Sequence, residues 1–366
     1  MSTLETSPVL QHTPAPRPSA RGVCFWYQSV QQARALASCR YRIGHFSELT
    51  RGADVVIDEH FPSALTRRVH TVVCVRPFVT PSLERELALL RRAGIRLIAD
   101  YDDLLFAGNV SGLPASVLGS GTLSDGLQRL AHYGAGLRVF DQFIVSTRAL
   151  RDRLKVLAPT ARITLVPNGL SDAWVQQGRA LYPAFKWDDA PTIRYFSGSP
   201  SHDRDFSGII APLSRFMQRH QHVRLDLVGH LNVDVTALPA QRVRRLPSMD
   251  YDQLPRLLRS SWVNLAPLAP SEFTECKSAL KLLEAGAFDC PTLASPNDDV
   301  RRHQELGAPV VLCQTPDEWL SGLERLLDPA TRSAVADGCF RHVMSHGMAS
   351  AHLDSWLAAT SPRVAS

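Results

Sequence analysis

Short apolar runs alternate with amphipathic stretches along nearly the whole chain, and this alternation narrows the fold more than any other feature of the sequence. In the first half the apolar runs are Val23–Tyr27, Val55–Ile57, Thr71–Val75, Arg96–Ala99, Phe143–Val145 and Ile163–Val166. Runs this short and this rich in β-branched residues predict strands buried on both faces. Between them, segments near Ile43–Thr50, Ser82–Ala93, Leu127–Phe140 and Thr147–Leu157 carry helical periodicity. Strand, helix and strand in repetition predict a parallel sheet covered by helices on both faces. The turn-rich stretch Asn168–Pro191 interrupts the pattern and reads as a hinge. The pattern then resumes with strands at Ile193–Phe196, Val223–Val228, Trp262–Leu265, Thr292–Ala294 and Val310–Leu312. Its predicted helices lie near Phe206–His220, Tyr251–Arg259, Glu275–Ala287, Asp298–Leu306, Asp317–Leu327 and Thr331–Ser345. The expected organisation is an α/β protein of two doubly wound domains, residues 22–178 and 179–345, facing across a cleft. Residues 346–366 are expected to form a C-terminal helix that packs back on the first domain. Residues 1–21 are rich in Pro, Ser and Thr and lack a hydrophobic signal core, so they read as a disordered leader. In two such domains, ligands bind at the carboxyl ends of the strands.

Composition limits the function classes. The chain has 366 residues, enough for two cores. Its 45% hydrophobic and 20% charged content is that of an ordinary globular protein, and no apolar run is long enough to span a bilayer. The seven cysteines form no C-x-x-C pair and several lie in apolar strands. That predicts buried thiols in a reducing, cytoplasmic compartment and no structural zinc. Residues 1–175 carry twenty basic and fourteen acidic side chains, whereas the remainder is nearly balanced. A basic first half suits a lipid-linked acceptor or peripheral contact with the inner membrane face. No basic and aromatic cluster points to nucleic acid. The first strand is not followed by G-x-G-x-x-G, and neither G-x-S-x-G nor a Walker pattern occurs, which argues against dinucleotide oxidoreductases, α/β-hydrolases and P-loop enzymes.

One segment points to chemistry. Only four of the 40 basic residues are lysines, and two of these, Lys277 and Lys281, lie four apart on the predicted helix Glu275–Ala287. With Glu284 they form a polar stripe beside the apolar face of Leu280, Leu283 and Ala287. A lysine in the first turn opposes the helix dipole unless an anion sits there. Lys277 and Lys281 would then hold phosphate, with Ser278 beside them, and Glu284 would hold sugar hydroxyls two turns on. An ordinary surface stripe with a Lys281–Glu284 ion pair is the alternative.

Four further constellations lie at predicted strand ends. Ser197-Gly198-Ser199-Pro200-Ser201-His202 is a small-residue loop that lets backbone N–H groups approach phosphate, with His202 and Arg204 as added donors. A capped turn with Arg204 paired to Asp203 or Asp205 explains it equally. Asp100-Tyr101-Asp102-Asp103 clusters carboxylates after an apolar strand. Asp103 or Asp102 could orient or deprotonate an acceptor hydroxyl, hold a metal, or cap a helix. Cys39-Arg40-Tyr41-Arg42 places Arg40 and Arg42 at a helix start, which again suggests an anion. Val166-Pro167-Asn168-Gly169 reads as a turn at the cleft edge.

Taken in order, R-Y-R, D-x-D-D, P-N-G, S-G-S-x-S-H and K-S-x-x-K-x-x-E resemble the GT-B glycosyltransferases of the family 4, group 1 type, in the branch that builds bacterial surface polysaccharides. The resemblance spans most of residues 23–345. It implies a retaining, metal-independent transferase of hexosyl type with no cofactor, using a nucleotide-diphosphate sugar as donor and a glycan or lipid-linked acceptor. It assigns donor binding to the second domain and acceptor binding to the first. Glu284 matches the family's ribose glutamate. The position of its sugar-contacting glutamate is occupied by Cys276, so that glutamate is either missing or displaced to Glu275 or Glu272. The expected catalytic group is Asp103, Asp102, Arg204 and Lys277. Rival readings are a sugar-nucleotide epimerase or hydrolase of the same fold, and a non-catalytic glycan-binding subunit.

Overall fold

A computed structural model describes residues 22–28, 37–50, 53–106, 122–187, 189–198 and 202–361. The leader expected at residues 1–21, and Ser199 of the small-residue loop, lie outside them. The first six strands are β1 (Val23–Tyr27), β2 (Asp54–Ile57), β3 (Thr71–Val75), β4 (Arg96–Tyr101), β5 (Gln142–Val145) and β6 (Arg162–Leu165). They form one sheet in the order β2-β1-β3-β4-β5-β6, with every pairing parallel. The next six are β7 (Thr192–Ser197), β8 (Arg224–Gly229), β9 (Val243–Leu246), β10 (Val263–Ala266), β11 (Thr292–Ala294) and β12 (Val311–Leu312). Their sheet runs β12-β11-β10-β7-β8-β9, also all parallel. Strands such as Thr71–Val75 are buried along their whole length because helices cover both faces.

The departures from the sequence expectation include an unforeseen strand, a helix in the hinge and two broken helices, the one expected over Phe206–His220 being divided into Asp203–Ser207 and Ile210–Arg219. β9 reads Val-Arg-Arg-Leu and sits at a sheet edge with two exposed arginines, so it has no apolar run to betray it. The turn-rich hinge contains a helix, Asp172–Leu181, capped by the Ser171 side chain. The helix expected over Glu275–Ala287 is broken into Glu272–Glu275 and Leu280–Gly286. Side chains of the next connection cause the break. Asn297 donates to the carbonyls of Thr274 and Lys277 at 3.0 and 2.9 Å, and Asp299 accepts from the Ala279 N–H at 2.8 Å. They supply partners that a continuous helix would otherwise find within itself.

After the second sheet, the helix Pro329–His346 leads the chain back toward the first domain. A backbone bridge joins Leu170 and Met348. Gly169 is fixed by this crossing: a Cβ there would meet the Ala349 backbone at 2.5 Å. The helix Leu353–Thr360 then packs on the first sheet, with Trp356 stacked on Phe25 and Phe46 at 5.3 and 5.9 Å. All seven cysteines are buried and unpaired.

Candidate functional site

The carboxyl ends of the two sheets face one cavity of about 520 Å³. The first domain contributes Arg40, Tyr41, Arg76, Asp102, Asp103 and Asn168 to its lining. The second contributes Ser197, Gly198, His202, Lys277, Ser278, Lys281 and Glu284. Residues far apart in sequence thus meet because both sheets end their strands at the cleft.

Two cations define the second domain's wall. The Lys281 ammonium is buried and has no hydrogen-bond partner among the described residues. It lies 4.6 Å from the Tyr195 ring centroid. Burial pushes its pKa down to about 8. Lys277 does not stand in a helical first turn; it occupies the break before Leu280. Its ammonium reaches across the cleft to Asp103 at 3.4 Å. The dipole argument for Lys277 therefore falls, while its place in the cavity stands. His202 is oriented by Asp205 at 2.9 Å. Burial and then the charge of Lys281 hold the imidazole below its ordinary pKa.

Glu284 lies on the same helix as Lys281 and receives a hydrogen bond from the Tyr41 hydroxyl of the first domain. Burial raises its pKa, and the Tyr41 contact opposes the rise. Ser278 accepts from the Asn168 side chain at 3.0 Å, a second bridge between the domains. The Ser197 hydroxyl donates to the His230 carbonyl. Arg40 stacks over the Tyr251 ring at 3.8 Å, at the cavity rim.

On the first domain's wall, Asp102 and Asp103 are both held by Arg76, the latter at 2.6 Å. Burial works to raise the Asp102 pKa, but the Arg76 charge and hydrogen bond outweigh it and hold the carboxyl below its ordinary range. Arg76 immediately follows β3 and has φ of +48°, in the left-handed region that costs a residue with a Cβ. Its neighbours on β3 gave the sequence reading a strand, but nothing in the sequence marks the arginine beyond it as the partner of two aspartates 26 and 27 residues away.

Three expected site residues are placed elsewhere. Arg42 is 1% exposed. Its guanidinium is spent on both oxygens of Asp100, the Val166 carbonyl and the Asn168 side chain. It is an internal strut, and the charge of the R-Y-R motif that reaches the cavity is Arg40. Arg204 is exposed and does not line the cavity. The short helix Asp203–Ser207 turns Asp205 and Phe206 inward, so Arg204 points away. Glu275 is about half exposed and pairs with Arg301 at 3.3 Å, while Glu272 faces Arg153 at 3.3 Å. Neither lines the cavity, and Cys276 is fully buried. The sugar-contacting glutamate has no displaced substitute at either position.

Two parallel six-stranded sheets, each flanked by helices, face one cleft at their carboxyl ends. This is the GT-B fold. Residues 208–358 match the profile of a family described as glycosyl transferase-like. WaaG, a glycosyltransferase involved in lipopolysaccharide biosynthesis, superposes with a TM-score of 0.56 at 14% identity, covering 93% of this chain and 100% of its own. Anabaena Alr3699/HepE, solved in complex with UDP, gives 0.56 at 13% identity, covering 92% and 98%. TarM gives 0.57 at 10% identity; 80% of this chain is covered, and the chain spans about half of TarM, 55% of its length. No functionally curated protein sequence matches. The group 1 type read from the motifs agrees with the family matched by the second GT-B domain.

Proposed function

We propose that this protein is a retaining glycosyltransferase that moves a sugar from a nucleoside-diphosphate sugar to a hydroxyl of a glycan or lipid-linked acceptor in polysaccharide assembly. The observation that carries this reading is the buried Lys281 ammonium, which has no hydrogen-bond partner among the described residues, in a cavity that also holds Lys277 and Glu284. A buried ammonium without a hydrogen-bond partner is costly, and a bound diphosphate supplies the missing acceptors and charge. Glu284, one turn beyond Lys281, is placed to accept the hydroxyls of a ribose. Structural relatives support the donor class: one pneumococcal O-GlcNAc transferase was solved with UDP and GlcNAc.

In the transfer, the bond from the anomeric carbon to the diphosphate oxygen breaks. The acceptor oxygen bonds to the same face, and its proton passes to the leaving diphosphate. Lys277, Lys281 and the neutral His202 stabilise the charge that develops on that diphosphate, so the chemistry needs no metal. Asp103, with Asp102 beside it, lies on the opposite wall, where it orients the acceptor hydroxyl or offsets positive charge on the sugar ring. Closure of the two domains brings the reactants together and excludes water. The protein acts in the cytoplasm, at the inner face of the membrane where a lipid-linked acceptor is presented.

The test is a calorimetric screen with UDP, GDP and dTDP, followed by donor turnover with and without acceptor. One nucleoside diphosphate should bind, and Glu284→Ala should weaken it by about tenfold or more, the loss of a charge-assisted hydrogen bond. Wild-type affinity in that variant removes the donor-site assignment. Donor consumption that needs no acceptor identifies a hydrolase or epimerase instead.

A further inference from the structure

The Tyr41–Glu284 contact joins residues 243 positions apart and crosses between the domains. We infer that Tyr41 is a positioning residue: its hydroxyl aims the Glu284 carboxylate at the ribose hydroxyls of the nucleotide, so that the second domain's nucleotide site is completed by the first domain. The inference rests on the proposed role of Glu284 and adds to it a residue, a geometry and a dependence on domain arrangement.

The surroundings fix the tyrosine before any ligand arrives. Tyr41 lies in the π-helical turn Arg40–Gly44 and is 2% exposed. Its ring packs edge-on against His45 and Tyr251, with centroids 5.1 and 6.0 Å apart. Burial and the charge of Glu284 hold its hydroxyl well above the ordinary tyrosine pKa, so it remains a donor through the whole working range. A carboxylate has about four acceptor sites on two oxygens. Tyr41 uses one on Oε1 and thereby sets the rotation of the group, leaving the other sites for hydroxyls entering the cavity. The charges of Arg40 and Lys281 also favour the ionised form of Glu284, against the burial that disfavours it. The first domain thus supplies a rigid phenol, and the second supplies the carboxylate it aims.

Tyr41→Phe removes the donor and keeps the ring. Binding is measured by calorimetry with UDP and 2′,3′-dideoxyuridine diphosphate, and with the guanosine and thymidine pairs in parallel, the thymidine analogue lacking the 3′-hydroxyl. Wild-type protein should prefer the hydroxyl-bearing form. In Tyr41→Phe its affinity should fall about tenfold while the dideoxy form binds as before, and the acid limb of the affinity profile should move to higher pH. On a Glu284→Gln background the same change should have little further effect. Intact discrimination in Tyr41→Phe overturns the positioning role alone. Equal weakening of both analogues overturns it too, because the tyrosine then serves only the packing of the cleft. If wild-type protein binds a pair and does not discriminate within it, the ribose role of Glu284 fails, and with it the purpose assigned to Tyr41; if it binds none, the donor-site reading fails first.

Discussion

A single side chain, Lys281, sets the alkaline side of the cavity's pH response. Lys281 has its pKa lowered from 10.5 to about 8 by burial, with Asp205 and Glu284 offsetting part of the shift and Lys277 adding to it. The folded, ligand-free protein therefore binds fewer protons at this group than the unfolded chain between those two values. By linkage, its stability falls as pH drops through the window and the full cost is present below about 8. A bound diphosphate reverses the sign, because it favours the charged ammonium. Nucleoside diphosphate affinity should thus decline above pH 8, with proton uptake on binding inside the window. Calorimetry in buffers of different ionisation enthalpy reads that uptake directly. Lys281→Met should erase both the uptake and the alkaline decline, weaken binding severely, and raise ligand-free stability at neutral pH by about 1–3 kcal/mol. A methionine variant less stable than wild type would show that the ammonium is satisfied in the ligand-free fold.

The element that lends most side chains to the proposed site is the broken helix between Glu272 and Gly286, and its shape is set from outside. Asn297 ties the carbonyls of Thr274 and Lys277 and also caps its own helix by accepting from Val300 N–H at 2.9 Å. Asn297→Ala leaves the Lys277 carbonyl and the buried Val300 N–H without partners, while the Thr274 carbonyl keeps the Lys277 N–H at 3.2 Å. Stability should drop by about 1–3 kcal/mol for each group left unsatisfied, and diphosphate affinity should fall further because Lys277 loses its perch. Denaturant melts and calorimetry measure the two separately; unchanged affinity in a destabilised variant would mean that the break is held by Asp299 and packing alone. The same segment shows what the sequence could and could not reveal. The apolar positions Leu283 and Ala287 are buried as their spacing implied. The break was illegible because the groups that cause it lie about twenty residues downstream. A strand such as β3 announces itself through a continuous run of Val and Cys, whereas β9 is legible only from its neighbour in the sheet. Arg42 and Arg40 have the same composition and nearly the same position, and only burial against Asp100 separates a strut from a cavity-lining cation. Arg76 and Tyr41 were invisible for the same reason: their partners are long-range.

At the scale of the molecule, the two domains are joined across the cleft by polar contacts and not only by the chain. Arg148 meets Glu305 at 2.7 Å, the Thr147 hydroxyl donates to the Cys276 carbonyl at 3.0 Å, and Phe273 and Cys276 pack into the first domain's apolar cluster. These contacts surround the segment that presents Lys277, so domain arrangement and the proposed donor site are one mechanical unit. Within that unit Asp103 has two opposed effects. It neutralises Lys277 at 3.4 Å, so a diphosphate must compete with it for the ammonium. It also offers the only first-domain carboxylate besides Asp102 among the described residues lining the cavity. Asp103→Asn keeps the shape, leaves Arg76 paired with Asp102, and frees Lys277 from its competitor. Nucleoside diphosphate binding should hold or tighten by a few-fold, most clearly at low salt, where an attraction between partly exposed charges is least screened. Transfer to acceptor should nevertheless fall by about 10²-fold, the scale of one charged group acting only in the transition state. Calorimetry and single-turnover transfer on the same preparation separate the two effects. Affinity that collapses with transfer would show that Asp103 holds Lys277 in place for the donor, and normal transfer with tighter binding would confine the aspartate to an electrostatic latch between the domains.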